Sequence, residues 1–118
     1  MILVTGGTGL VGCHLLYSLV KENKKVRALH RKNSKTDSVR KVFSYYSKDY
    51  KKLFDKIEWI EGDINDITSL DVAFKNINEI YHCAAFISFS NQDLSAMKKI
   101  NVEGTANMIN SAIDKKIN

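Results

Sequence analysis

The chain has 118 residues, 44% of them hydrophobic and 26% charged, with 18 Lys and Arg against 13 Asp and Glu. That length holds one domain with a real core, and those proportions exclude a disordered, collagen-like or disulfide-scaffold chain. No apolar run approaches the ~18 residues of a membrane span, no signal-peptide pattern follows Met1, and Cys13 and Cys83 read as reduced thiols of a cytoplasmic protein. Charge is uneven. Residues 21–56 hold 13 of the 18 basic residues and 4 of the 13 acids, which suits an anionic partner or a solvated helix face.

Residues 1–5 are a β-branched and apolar run that meets Gly6-Gly7-Thr8-Gly9, the pattern of a buried strand ending in a tight turn. A helix is predicted from Leu10, with Val11, Leu15, Leu16, Leu19 and Val20 near helical spacing and Asn23-Lys24 as its stop. Residues 25–30 form the second predicted strand. Residues 34–56 read as two polar helices, one aligning Val39, Val42, Phe43 and Tyr46, the other Tyr50, Leu53 and Phe54. Ile57–Glu61 is the third strand, closed by Gly62-Asp63. A short helix covers residues 68–75, where Thr68 and Asp71 match a capping box. Residues 79–84 are the fourth strand, and a long helix runs over 92–115. This alternation, without repeat or linker, predicts an α/β fold: one domain over residues 1–118, a doubly wound parallel sheet with helices on both faces.

The most informative segment is Thr5-Gly6-Gly7-Thr8-Gly9-Leu10-Val11-Gly12. It satisfies Gly-x-Gly-x-x-Gly from Gly7 and Gly-x-x-Gly-x-x-Gly from Gly6, between a predicted strand and a predicted helix. Glycine permits the turn and lets backbone approach a pyrophosphate, the last glycine lets the helix pack closely, and the helix N-terminus faces the phosphate charge. A purely structural turn is the alternative. Dinucleotide folds selective for NAD carry Asp or Glu about 20 residues later, on the ribose 2′-hydroxyl. Here that point reads His30-Arg31-Lys32-Asn33-Ser34, without an acid. Arg31 offers a planar fork to a 2′-phosphate, so NADP is expected ahead of NAD, with a solvated loop arginine as the bland alternative.

Together with Gly62-Asp63-Ile64, His82-Cys83-Ala84-Ala85 and Asn101-Val102-Glu103-Gly104-Thr105, the glycine loop resembles the extended short-chain dehydrogenase/reductases. Within them the resemblance is to the NAD(P)-dependent epimerase/dehydratase group and its dihydroflavonol-reductase-like members. It covers essentially the whole chain, with the motifs in order. It implies that Gly6, Gly9 and Gly12 are the motif glycines and that Gly7, Thr8, Leu10 and Val11 line the pyrophosphate loop. Asp63 and Ile64 would hold and cover the adenine, and Ala84 and Ala85 would sit beside the ribose and nicotinamide. Asn101 would support the active site through a hydrogen-bond network. Bland roles stand beside these: Asp63 as a turn former, the alanines as packing, Asn101 as an exposed polar helix residue. Phe86 and Ser88 follow the fourth strand toward the crevice.

In that family a tyrosine is general acid/base, a lysine four residues later lowers its pKa, and a serine or threonine orients substrate, all after the next strands. The one Tyr-x-x-x-Lys match here, Tyr17 and Lys21, lies behind the glycine loop and reads as coincidence. The chain therefore reads as the amino-terminal cofactor half of a longer enzyme, inactive alone. The expected parent is an NADP-preferring oxidoreductase of a carbonyl/alcohol pair, or else an NAD-dependent nucleotide-sugar epimerase/dehydratase. A non-catalytic NAD(P)-binding or sensing module is the reading from another class. In the strand order 3-2-1-4 the fourth strand is an edge, so self-association through it is expected.

Cys13-His14 and His82-Cys83 supply thiols and imidazoles, yet strand alternation sends His82 and Cys83 to opposite faces and helical spacing separates Cys13 from His14 by about 100°. Tetrahedral zinc is disfavoured by those directions, and no metal is expected. Cys83 has no identified base and reads as a small residue lining the crevice. Arg40, Lys41, Tyr45, Tyr46, Lys48, Tyr50, Lys51 and Lys52 interleave bases with aromatics as single-strand binders do. Two amphipathic helices with basic outer faces explain the same spacing, so neither nucleic acid nor membrane is expected as a partner.

Overall fold

The computed structural model describes residues 1–117. Its four strands are β1 (Ile2–Thr5), β2 (Val26–His30), β3 (Ile57–Glu61) and β4 (Glu79–His82). They pair in parallel in the order β3-β2-β1-β4. Helix α1 (Leu10–Lys21) follows β1, α2 (Asp37–Tyr46) and α3 (Tyr50–Asp55) follow β2, and α4 (Ile67–Ala73) follows β3. After β4, a 3₁₀ turn (Asn91–Asp93) leads into α5 (Leu94–Lys98), a wide turn of i→i+5 bonding (Lys99–Gly104) and α6 (Thr105–Asp114). Backbone angles stay helical at both junctions, −63°/−43° at Lys98 and −64°/−41° at Thr105, so the last three pieces are one continuous helix.

The alternation of strand side chains sorts the core into two layers. Ile2 and Val4 of β1, Val26 and Ala28 of β2 and Ile57 of β3 face the apolar stripe of α1 and the inner residues of α2 and α3. Leu3 and Leu29 face the other way, onto Leu70, Ala73, Phe74 and Met108. Central β1 is paired on both sides, and Leu3, Val4 and Thr5 are fully buried. Arg27 also points into the second layer. It is 8% exposed, and its Nη1 donates to Ala73 O and Lys75 O, each at 2.7 Å, at the C-terminal end of α4. Its Nε meets Glu58 of β3 at 3.2 Å. The guanidinium therefore satisfies two helix-end carbonyls that would otherwise be without a partner.

Helix ends follow local chemistry. Asn23 takes φ +60°, and the bonds Asn23 N–Val20 O and Lys24 N–Leu19 O, both 3.0 Å, close α1 in a Schellman motif. At α4 the cap is Asp66, not Thr68: its carboxylate accepts from Thr68 N and Ser69 N, which moves the helix to Ile67–Ala73 and removes the expected Thr68–Asp71 box. Strand β4 ends at His82, two residues before the expected end: β1 itself stops at Thr5, Gly6 takes φ +69° into its loop, and beyond His82 the contacts to β1 are the bonds from Cys83 N and Ala84 N to Thr5. Among the described residues no helix is long and apolar enough to cross a membrane.

Candidate functional site

The carboxyl ends of β1, β2, β3 and β4 open onto a cavity of about 360 Å³. A second, of about 720 Å³, adjoins it on the β2–β3 side, and Arg31, Ser34, Gly62 and Asp63 border both. This is where open parallel sheets bind ligands.

The floor is built by glycines. Gly6 has φ +69°, and a Cβ there would come within 2.5 Å of Ala84 N and Cys83 C, so the end of β1 and the end of β4 touch only because the side chain is absent. A Cβ on Gly12 would collide with the Gly6 carbonyl, which fixes how closely α1 sits behind the loop. Gly9 is the N-cap of α1, with no side chain capping the helix and no acid in its first turn. The N–H groups of that turn, and the positive end of the helix dipole, are thus presented at the cavity mouth.

Gly6, Thr8, Gly9, Arg31, Asp63, Ile64, Ala84 and Ala85 all lie on the wall of the first cavity. Gly7 and Gly12 are buried beneath it. Leu10 and Val11 depart from expectation: their side chains are 78% and 71% exposed and line neither cavity. The inward stripe of α1 runs through Gly12, Cys13 and Leu16, which turns positions 10 and 11 outward and leaves them only their backbone N–H groups to offer. Asn101 is also off the wall. Its amide makes a two-way clasp on the backbone of Phe86, accepting from Phe86 N at 2.9 Å and donating to Phe86 O at 2.8 Å. Phe86 and Cys83 do line the cavity, whereas Ser88 is turned to Asp93 at 2.6 Å.

Asp63 shapes its own loop and faces the cavity. One carboxylate oxygen accepts from Asn65 N at 2.9 Å, and Asp63 N donates to Ser69 Oγ at 3.0 Å. Behind the wall lies a group whose residues stand in the quoted motifs but to which those motifs give no role. His82 Nδ1 is 2.6 Å from Thr5 Oγ1, and its Nε2 is 3.0 Å from Thr105 Oγ1. Ala84 N donates to the same Thr5 oxygen at 3.2 Å. A neutral imidazole carrying its proton on Nε2 satisfies every group: Thr5 donates to Nδ1, and Nε2–H donates to Thr105. Burial pushes the His82 pKa below the usual histidine range, which keeps that neutral form. Burial also raises the Cys83 thiol, so it stays protonated and a poor nucleophile.

The other sequence constellations come apart. Tyr17 stacks on Tyr46 at 4.8 Å, on the outer side of α1 and away from both cavities. Cys13 Sγ bonds Leu10 O within its own helix, and His82 bonds Thr5 and Thr105 instead. Among the described residues no three His, Cys, Asp or Glu side chains cluster as metal ligands.

The sheet order, the glycine turn and the open crevice at the strand ends define a Rossmann domain of the dinucleotide-binding kind. The chain belongs to the NAD-binding family described as "Male sterility protein", whose model matches residues 4–117. It is 33% identical over 106 residues to a putative dihydroflavonol 4-reductase of Synechocystis sp., covering 90% of this chain and 27% of that protein. It is 27% identical over 123 residues to the UDP-glucose 4-epimerase of Rickettsia rickettsii, covering 98% of this chain and 33% of that protein. Among solved structures it is similar to a short-chain dehydrogenase/reductase superfamily protein from Agrobacterium tumefaciens with bound NAD. There the TM-score is 0.75 and the identity 26%, with 99% of this chain and 30% of that one covered. The chain thus spans about a third or less of the length of these proteins.

Proposed function

We propose that residues 1–118 are the cofactor-binding part of an NAD(P)-dependent oxidoreductase that works on a carbonyl/alcohol pair of a small molecule, with NADP the favoured cofactor. The observation that carries the preference is the wall after β2: Arg31 and Ser34 border both cavities, and residues 30–34 contain no carboxylate. An acid there would repel a 2′-phosphate, and an arginine attracts it.

The uncapped start of α1 and its dipole meet the pyrophosphate through backbone N–H groups, and the bare Gly6 and Gly9 let it approach. Asp63 keeps one oxygen for the adenine side, and Ala84 and Ala85 leave room at the end of β4. Asn101 holds the β4 loop by its clasp on Phe86. The nicotinamide, when bound, supplies or accepts a hydride. Substrate selection and proton transfer are assigned to the parts of such proteins that residues 1–118 do not include. A cytoplasmic setting goes with this reading, with Cys13 and Cys83 as free thiols.

The second reading, an NAD-dependent nucleotide-sugar epimerase/dehydratase, draws on the likeness to the Rickettsia epimerase over 98% of the chain. Calorimetric titration of the 118-residue chain with NADPH and NADH separates the two. The NADP reading expects tighter NADPH binding, with Arg31→Asp weakening NADPH by about 10- to 100-fold and leaving NADH nearly unchanged. Equal or NADH-favoured binding supports the epimerase/dehydratase reading instead.

A further inference from the structure

Loop 62–66, at the adenine side of the cavity, is joined to the continuous helix at three points. Asn65 Nδ2 donates to Lys99 O at 3.0 Å. Asn107 Nδ2 donates to Ile64 O at 2.9 Å. Between them Ile64, only 6% exposed, lies on Gly104, where a Cβ would come within 2.5 Å of Ile64 Cδ1. Lys99 and Gly104 are the first and last residues of the wide turn. Inside that same turn stands Asn101, whose amide clasps the backbone of Phe86 on the β4 side of the cavity.

A wide turn is a break in the regular ladder of a helix, and such breaks are frequent at functional sites. Here Asn65 holds the first end, and moving that end by one residue would rotate Asn101 by about 100° and break the clasp. We propose that Asn65 is a positioning residue that couples the two sides of the cavity. A ligand that bears on loop 62–66 from the adenine side acts on the wide turn through Asn65 and Lys99 O. From there the effect passes through Asn101 to Phe86. The ligand class is an adenine nucleotide, and the inference rests on the dinucleotide reading above. Asn65 itself reaches the cavity wall, with one of its two amide hydrogens given to the helix. The loop backbone is set independently of that amide, because the Asp63 carboxylate bonds Asn65 N and Asp66 caps α4.

The test uses ADP, which carries the adenine half and no nicotinamide, with hydrogen exchange read at the Phe86 amide. In the unmodified chain ADP is expected to slow Phe86 exchange by about fivefold or more, the low end of ordinary coupling between sites. In Asn65→Leu that slowing disappears while ADP still binds, and NADPH loses more affinity than ADP does. Asn65→Ala serves as the second variant if leucine at that half-buried position unfolds the chain, as a melt without ligand will tell. Slowing of Phe86 by ADP that persists in the variant overturns the coupling, as does an unmodified chain that binds ADP and leaves Phe86 unmoved. A folded chain that binds neither ADP nor NADPH overturns the dinucleotide reading, and this inference with it.

Discussion

Thr5 is the last residue of β1, fully buried, and its hydroxyl is committed to both His82 and Ala84 N. Protonating His82 would put a charge into a half-buried site and oblige the Thr5 hydroxyl to turn its own hydrogen away so as to accept from Nδ1–H. Its folded pKa is held below the ordinary value of about 6.5 by burial. The unfolded chain therefore binds a proton first as pH falls. The stability from neutral His82 is fully present above about pH 6.5 and is lost as pH drops from there through the lower folded pKa. Thermal melts between pH 8 and pH 5 are expected to show this loss, and His82→Gln is expected to flatten it. A variant with the same pH profile as the unmodified chain would remove His82 from the account. None of this is legible in the sequence: Thr5 and Thr105 are 77 and 23 residues from His82, and only the β1–β4 register brings them together. The glycines, by contrast, are legible because strand, turn and helix signals surround them.

Among elements, the four strands can be read directly, since β-branched runs stop at glycine or polar turns and each is followed by a helical pattern, while their order in the sheet comes from the dinucleotide fold they match. Helix α4 is placed less well. The spacing points to Thr68 as the cap, yet the fold brings the Asp66 carboxylate rather than the Thr68 hydroxyl to the free N–H groups. The wide turn in the last helix is invisible for a different reason. Its residues contact residues 64, 65 and 86, while apolar periodicity reports only which face is buried. The other end of α4 rests on Arg27, a residue whose charge reads as a surface feature. Arg27→Met would leave the carbonyls of Ala73 and Lys75 without their donor and Glu58 without its pair. The expected loss is roughly 3 kcal/mol in urea unfolding, with the slope unchanged. A loss below about 1 kcal/mol would mean that solvent reaches those carbonyls.

At the scale of the whole molecule, β4 leaves one edge of the sheet unpaired. Ile87, Phe89 and Leu94 follow it with most of their surface exposed, and Tyr81 on the strand is 37% exposed. Unpaired edges with apolar neighbours recruit further strands, and we propose that two copies associate through β4. Sedimentation velocity is expected to show an apparent mass that rises with concentration, and Tyr81→Lys is expected to lower it. A single monomer boundary at high protein concentration would argue against association. The two buried clusters lie on opposite faces of the sheet and otherwise stay apart. The first cavity is different, because its wall takes Thr8 and Gly9 from the α1 side and Ala96, Lys99 and Ile100 from the other. A ligand seated there braces the two layers against each other, much as a wedge locks two planks that share only a hinge. Mechanical stiffness of the whole domain would then be something acquired with the ligand, and absent before it arrives.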